Sequence, residues 1–237
     1  MSKKEQVSLS RLSTKDFPLI KKLDWEQEDM VNKLYKSRRV MVDSIAGAGK
    51  TTVLTQAMKV LLDKDHIDTI YYVVFPVQED SLGHLPGGVS DKIKEYVVPF
   101  YQALVSAGVN PQQIDLDRMT DEFIPYPYKV VPHTFLRGRT LENVGVIVDE
   151  VQNGTVDELQ KTLTRIADDC YVGIVGHTGQ TDIPNSGFPA YIHHFKRGKE
   201  TGIYTDMEFA KLTTNYRGKF SSFVDQINKS FKEENSE

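Results

Sequence analysis

Ser44-Ile45-Ala46-Gly47-Ala48-Gly49-Lys50-Thr51-Thr52 joins a short β-branched run, Val40-Met41-Val42, to a segment whose apolar positions 54, 57, 58, 61 and 62 recur at helical spacing. The order strand, glycine loop, helix commits this part of the chain to a βα unit with an anion-binding turn. Glycines let successive backbone N–H groups point inward around a negative charge, and the helix that follows presents its positive end to the same charge. The spacing is that of a phosphate loop, G-x-x-x-x-G-K-[ST], with Ser44 in place of the first glycine. In such a loop residues 44–52 would cradle a nucleotide, Lys50 would reach the β- and γ-phosphates, and Thr51 would offer a hydroxyl to Mg²⁺, a cation that prefers hard oxygen ligands.

The rest of the chain alternates in the same manner. Strand candidates fall at 39–43, 69–75, 129–135, 144–149, 171–176 and 208–213, and helix candidates at 25–36, 51–63, 89–106, 156–167 and 219–232. Alternation of this kind predicts an α/β fold with a mainly parallel sheet flanked by helices. The runs Val144-Gly145-Val146-Ile147-Val148 and Tyr171-Val172-Gly173-Ile174-Val175 are apolar throughout, as strands covered on both faces should be. No repeat or long linker divides the 237 residues, so one domain is expected over 24–231, between an N-terminal extension (1–23) and a polar tail (232–237). No apolar run approaches the ~20 residues of a membrane span, and the first residues lack the apolar core of a secretion signal, so a cytoplasmic location is expected. The single Cys170 excludes an intramolecular disulfide and, ahead of an apolar strand, reads as a buried thiol.

Val146-Ile147-Val148-Asp149-Glu150 supplies the partner that a phosphate loop needs. Asp149, at the strand's end, is placed to hold Mg²⁺ opposite Thr51. Glu150, one residue on, is placed to orient or deprotonate a water that attacks the γ-phosphate. A kinase must keep water away from that phosphate, so the Asp-Glu doublet favours hydrolysis. Gln180, in the polar turn after the next strand, is a candidate to sense the γ-phosphate or hold the water, and Arg217, after the last strand, is a candidate finger for transition-state charge. Net charge is −4, which does not advertise nucleic-acid binding, although basic groups cluster at Lys36, Arg38 and Arg39, at Arg137 and Arg139, and at Lys196, Arg197 and Lys199. Such clusters are more often solvated surface.

With these pieces in order, the chain resembles the PhoH family of P-loop ATPases, related to the RecA-like core of superfamily 1 helicases. The loop at 44–51 is similar to the family's G-P-A-G-T-G-K-T. Pro132-His133-Thr134-Phe135-Leu136-Arg137-Gly138-Arg139-Thr140, followed by Asp149-Glu150-Val151-Gln152-Asn153, is similar to its P-x-x-[YF]-[ML]-R-G-R-T and D-E-A-Q-N. Weaker likenesses are Leu82-Gly83-His84-Leu85-Pro86-Gly87, the pair Gln180 and Asp182, and Asn215-Tyr216-Arg217, which looks more like the helicases' N-Y-R than the family's R-H-P. Gln27 stands where related helicases carry a glutamine that reads adenine. The compact length is reminiscent of phage-encoded members, for which the location would be the host cytoplasm. Three positions depart from the pattern: Ser44 replaces a glycine, Phe75 an arginine, and His177 an aspartate, the last read as a hydrogen-bonded structural histidine.

The resemblance implies a single RecA-like P-loop NTPase domain that binds ATP and Mg²⁺ and hydrolyses ATP to ADP and phosphate. It allows coupling to RNA or single-stranded DNA, and a homo-oligomeric ring in which Arg217 acts in cis or across an interface. Two other readings stay open at this point: a P-loop kinase of a small acceptor, and a nucleotide-dependent binding or assembly module with little turnover. The histidines show no metal-ligand spacing, so no zinc site is assigned.

Overall fold

The computed structural model describes residues 5–75, 89–121, 123–180 and 183–224, and of 89–95 the backbone only. Six strands form one sheet: β1 (Arg39–Ser44), β2 (Ile70–Val74), β3 (Tyr128–Pro132), β4 (Gly145–Asp149), β5 (Tyr171–Gly176) and β6 (Met207–Leu212), in the spatial order β3-β2-β4-β5-β1-β6. Every pairing is parallel, so the sheet is wholly rather than mainly parallel among the described residues. All six strands therefore end at one edge. Ligands of open parallel sheets bind at that carboxyl edge, near the point where the chain reverses its direction of winding.

Helices α1 (Trp25–Ser37), α2 (Lys50–Asp63), α3 (Val89–Ser106) and α4 (Leu116–Thr120) cover one face of the sheet, and α5 (Val156–Leu163) and α6 (Phe188–Glu200) the other. A short α7 (Lys219–Val224) follows β6. Strands β4 and β5 are buried along their whole length, as their unbroken apolar runs require. Helix α1 begins at a capping box, with the Asp24 side chain accepting from Gln27 N and the Gln27 side chain accepting from Asp24 N, and it buries Met30, Val31 and Leu34 on one face. Cys170 is buried, and its Sγ–H donates to Leu141 O at 3.2 Å.

Two boundaries differ by more than one residue from the sequence reading. The third strand stops at Pro132, and His133–Leu136 turns into a 3₁₀ helix that stacks His133 on Phe75 and buries Leu136. Helix α5 ends at Leu163 rather than 167, because Arg165 and Ala167 form backbone hydrogen bonds to Leu141 instead of continuing the helix. Of the helix expected at 219–232, residues 225–232 lie outside the described residues, as do Leu82–Gly87 and Asp182.

The second layer depends on one close approach. Gly187 N donates to Gly154 O at 2.8 Å, and a methyl group on Gly187 would come within 2.6 Å of Val156 N and 2.8 Å of Thr155 C. Those are backbone atoms at the start of α5 and cannot swing aside. Gly187→Ala should lower stability by about 1–3 kcal/mol, the usual cost of overpacking, visible as a lower urea midpoint at unchanged slope. An unchanged midpoint would mean that the starts of α5 and α6 are less tightly apposed than this.

Candidate active site

The phosphate loop leaves β1 at Ser44 and enters α2 at Lys50, with Gly47 and Gly49 both in the left-handed region at φ +76° and +75°. Only glycine takes that conformation without strain, and two such turns fold the loop around its own N–H groups. Neighbours on three sides fix it. Ile45 N donates to Leu212 O at 3.1 Å, Tyr216 N to Gly47 O at 2.9 Å, and Gln27 Nε2 to Ala48 O at 3.0 Å. The Ser44 hydroxyl turns away to its neighbour, donating to Ile45 O at 3.1 Å.

Asp149 and Glu150 arrive at the same place from the end of β4. Thr51 Oγ1 donates to Asp149 Oδ2 at 2.6 Å, and Lys50 Nζ donates to Glu150 Oε1 at 2.7 Å while standing 3.6 Å from Asp149 Oδ1. Burial alone would push the Lys50 ammonium down, but the charges of Asp149 and Glu150 outweigh it and hold the group above its ordinary value. Asp149 is almost fully buried, at 2% exposure, and Glu150 is half-exposed. The Glu150 backbone lies in the left-handed region at φ 55°, uncommon for a residue with a side chain, and its N–H closes onto Asp149 Oδ1 at 2.9 Å. This kink turns consecutive carboxylates toward one lysine.

Three further residues join the candidate site: Tyr72 and Glu26 were not singled out from the sequence, and Gln152 was named only within the D-E-A-Q-N likeness, with no role. Tyr72 OH, from β2, donates to Asp149 Oδ2 at 2.8 Å; burial first, then the Asp149 charge, holds this phenol protonated far above its usual range. Gln152 bridges two elements, donating from Nε2 to Glu150 Oε2 at 2.6 Å and accepting from His177 N at 3.2 Å. Glu26, buried in the first turn of α1, accepts from Thr213 N and Thr213 Oγ1, each at 2.6 Å. The start of α1 thus grips both the phosphate loop, through Gln27, and the segment after β6, through Glu26 and the Tyr216–Asp24 hydrogen bond.

That segment carries Arg217 to the loop. Asn215 Oδ1 accepts from Arg217 N at 2.8 Å, and a methyl group on Gly47 would come within 3.0 Å of Arg217 Cγ and 3.1 Å of its Cδ. The guanidinium of an exposed residue therefore has its stem laid along its own chain's loop. Gln180 lies exposed in the turn after β5. Gln27 uses both ends of its amide within the protein, on Ala48 O and Asp24 N. His177 departs from expectation. Its backbone N–H is bonded to Gln152, but its ring Nδ1 is buried without a hydrogen-bond partner among the described residues. Phe75, which replaces the arginine of the resembled pattern, is a core residue at 2% exposure, stacked on His133 with ring centroids 4.4 Å apart.

Two basic clusters sit away from this edge and are partly neutralised. At the start of β1, Arg39 pairs with Asp168 at 3.0 Å and Arg38 lies over the Tyr171 ring. Lys199 pairs with Glu208 at 2.7 Å and Lys196 lies over Phe209. Among the described residues no helix is long and apolar enough to cross a membrane.

Comparison with known proteins gives these residues a context. The family model described as PhoH-like protein matches residues 19–215. Protein PhoH of Escherichia coli K12 is 28% identical over 212 residues, covering 84% of this chain and 56% of that protein. PhoH-like proteins of Synechocystis and of Bacillus subtilis are each 33% identical over 141 residues, covering 59% of this chain and 41% and 42% of theirs. The chain thus spans about half the length of these relatives. Among solved structures, a Pif1 helicase from Bacteroides matches 87% of this chain and 45% of its own, at 17% identity and a TM-score of 0.41.

Proposed function

Because the chain belongs to the PhoH-like protein family, we propose that it binds ATP together with Mg²⁺ and hydrolyses it to ADP and phosphate. The observation that carries this reading is the meeting of four side chains at the sheet's carboxyl edge: Lys50 and Thr51 from the loop, Asp149 and Glu150 from β4, joined at 2.6–2.7 Å. The donor set fits a magnesium ion, since a threonine hydroxyl and a carboxylate beside it are hard oxygen ligands of the kind Mg²⁺ takes along with phosphate oxygens and waters. Bound there, the ion would offset the charge of the β- and γ-phosphates.

The chain's own residues supply the rest. Backbone N–H groups of residues 46–51 hold the phosphates, since that of Ile45 is taken by Leu212 O, and Lys50 leaves Glu150 to meet the incoming anion. Glu150, freed of that ion pair but still held by Gln152, accepts a proton from the water that attacks the γ-phosphorus, and the bond to the ADP oxygen breaks. Arg217 stabilises the charge that develops on the transferred group, and Gln180 orients the water. Gln27 would have to release Ala48 to read a base, so we assign it a loop-holding role in the nucleotide-free state. A kinase would have no use for Glu150 as a water-activating base, and a nucleotide-dependent module would keep binding without turnover.

Glu150→Gln separates these readings. The amide keeps the shape and cannot take a proton, so turnover should fall by about 10²-fold while ATP affinity stays. If affinity collapses together with turnover, Glu150 is holding the site together and the base assignment is wrong. The relation to RNA or single-stranded DNA is tested by measuring turnover with each added. We propose stimulation by one of them; equal rates with and without both would leave a stand-alone ATPase.

A further inference from the structure

Tyr72 lies in the middle of an apolar strand, opposite Ile147 in register, while its neighbour Val74 is opposite Asp149. Its hydroxyl nevertheless reaches Asp149 Oδ2, two strand steps or roughly 6.6 Å farther along the sheet, about the length of a phenol side chain. The ring is seated by Phe100 of α3, stacked at 5.1 Å with the planes 5° apart. Asp149 is thereby held by donors from three directions: Thr51 and Tyr72 hydroxyls on Oδ2, and the Glu150 amide on Oδ1.

We propose that Tyr72 is a positioning residue that holds the Asp149 carboxylate in the orientation needed, with Thr51, for Mg²⁺. This rests on the reading of Asp149 and Thr51 as the metal side of the site. With the phenol donor gone, Oδ2 keeps only Thr51, and the carboxylate is free to turn toward Lys50, now 3.6 Å from Oδ1. Such a turn carries the Thr51 hydroxyl with it and spoils both ligands at once. Outer-shell partners of this kind are worth about 10–100-fold in metal affinity. A tyrosine that served only to fill the core would leave the metal requirement unchanged, because phenylalanine fills the same space.

The test is the Mg²⁺ dependence of binding of a fluorescent, non-hydrolysable ATP analogue, measured for the full chain and for Tyr72→Phe, with thermal unfolding in the absence of Mg²⁺ as a check on the fold. The Mg²⁺ concentration giving half-maximal binding should rise about 10-fold in the variant, while affinity at saturating Mg²⁺ stays within about 2-fold. The same change in an Asp149→Asn background should have no further effect. An unchanged Mg²⁺ midpoint in Tyr72→Phe, with the parent showing clear Mg²⁺ dependence, overturns this inference alone. A parent that binds the analogue equally well without Mg²⁺, or not at all, overturns the functional reading and this inference together. Should Tyr72→Phe fail to fold, Phe100→Leu loosens the ring's seat while keeping the hydroxyl; a midpoint raised in the same direction supports the inference, and an unmoved one overturns it.

Discussion

Arg217→Ala should reduce ATP turnover by about 10³-fold, the scale of a lost arginine finger, with little change in ATP affinity or stability. A surface arginine would change almost nothing, so the outcome is decisive either way. The stem of Arg217 lies against Gly47 of its own chain, and its backbone is pinned by Asn215 in a turn that also delivers Tyr216 N to Gly47 O. That placement favours action in cis. Mixing Lys50→Ala chains with Arg217→Ala chains should then restore no turnover, because neither chain carries both an intact loop and an intact arginine. Recovery on mixing would show that the arginine serves a neighbouring subunit, and near-normal turnover by Arg217→Ala alone would remove it from the reaction.

Lys50→Ala should lower turnover by about 10²-fold or more and also weaken ATP binding. The ammonium stands between two carboxylates, and its removal leaves Asp149 and Glu150 facing the incoming phosphates without that counter-charge. Both the attraction of the cation and its screening of the acids are lost at once. Glu150→Gln, by contrast, leaves the Lys50 cation in place, so of the two variants only Lys50→Ala should lose ATP affinity together with turnover. A Lys50→Ala protein that hydrolyses ATP as fast as the parent would refute the phosphate-loop assignment.

Much of the site was legible because its chemistry is local. The glycine loop, the lysine and threonine after it, and two acids closing an apolar strand each carry their meaning within a few residues, and parallel strands must bring their ends to one edge. Tyr72 was not legible. In Ile70-Tyr71-Tyr72-Val73-Val74 it reads as one more strand-forming aromatic, and its partner lies 77 positions on. Glu26 likewise reads as a favourable acid in a helix's first turn, and only the path of the chain after β6 gives it Thr213. Helix α6 escaped because Phe-Pro-Ala-Tyr-Ile-His-His-Phe-Lys-Arg-Gly-Lys-Glu offers weak helix formers and an internal glycine; packing of Phe188 in the core decides its conformation. Phe75 was legible only as a departure from the family's arginine; that it packs in the core against His133 and Gly154 depends on partners distant in the sequence.

The most direct test of the account is product analysis of the purified full chain given ATP and Mg²⁺ with water as the sole acceptor. ADP and inorganic phosphate should appear in equal amounts, released over many turnovers. ATP that stays bound and intact, with no phosphate released, would contradict it.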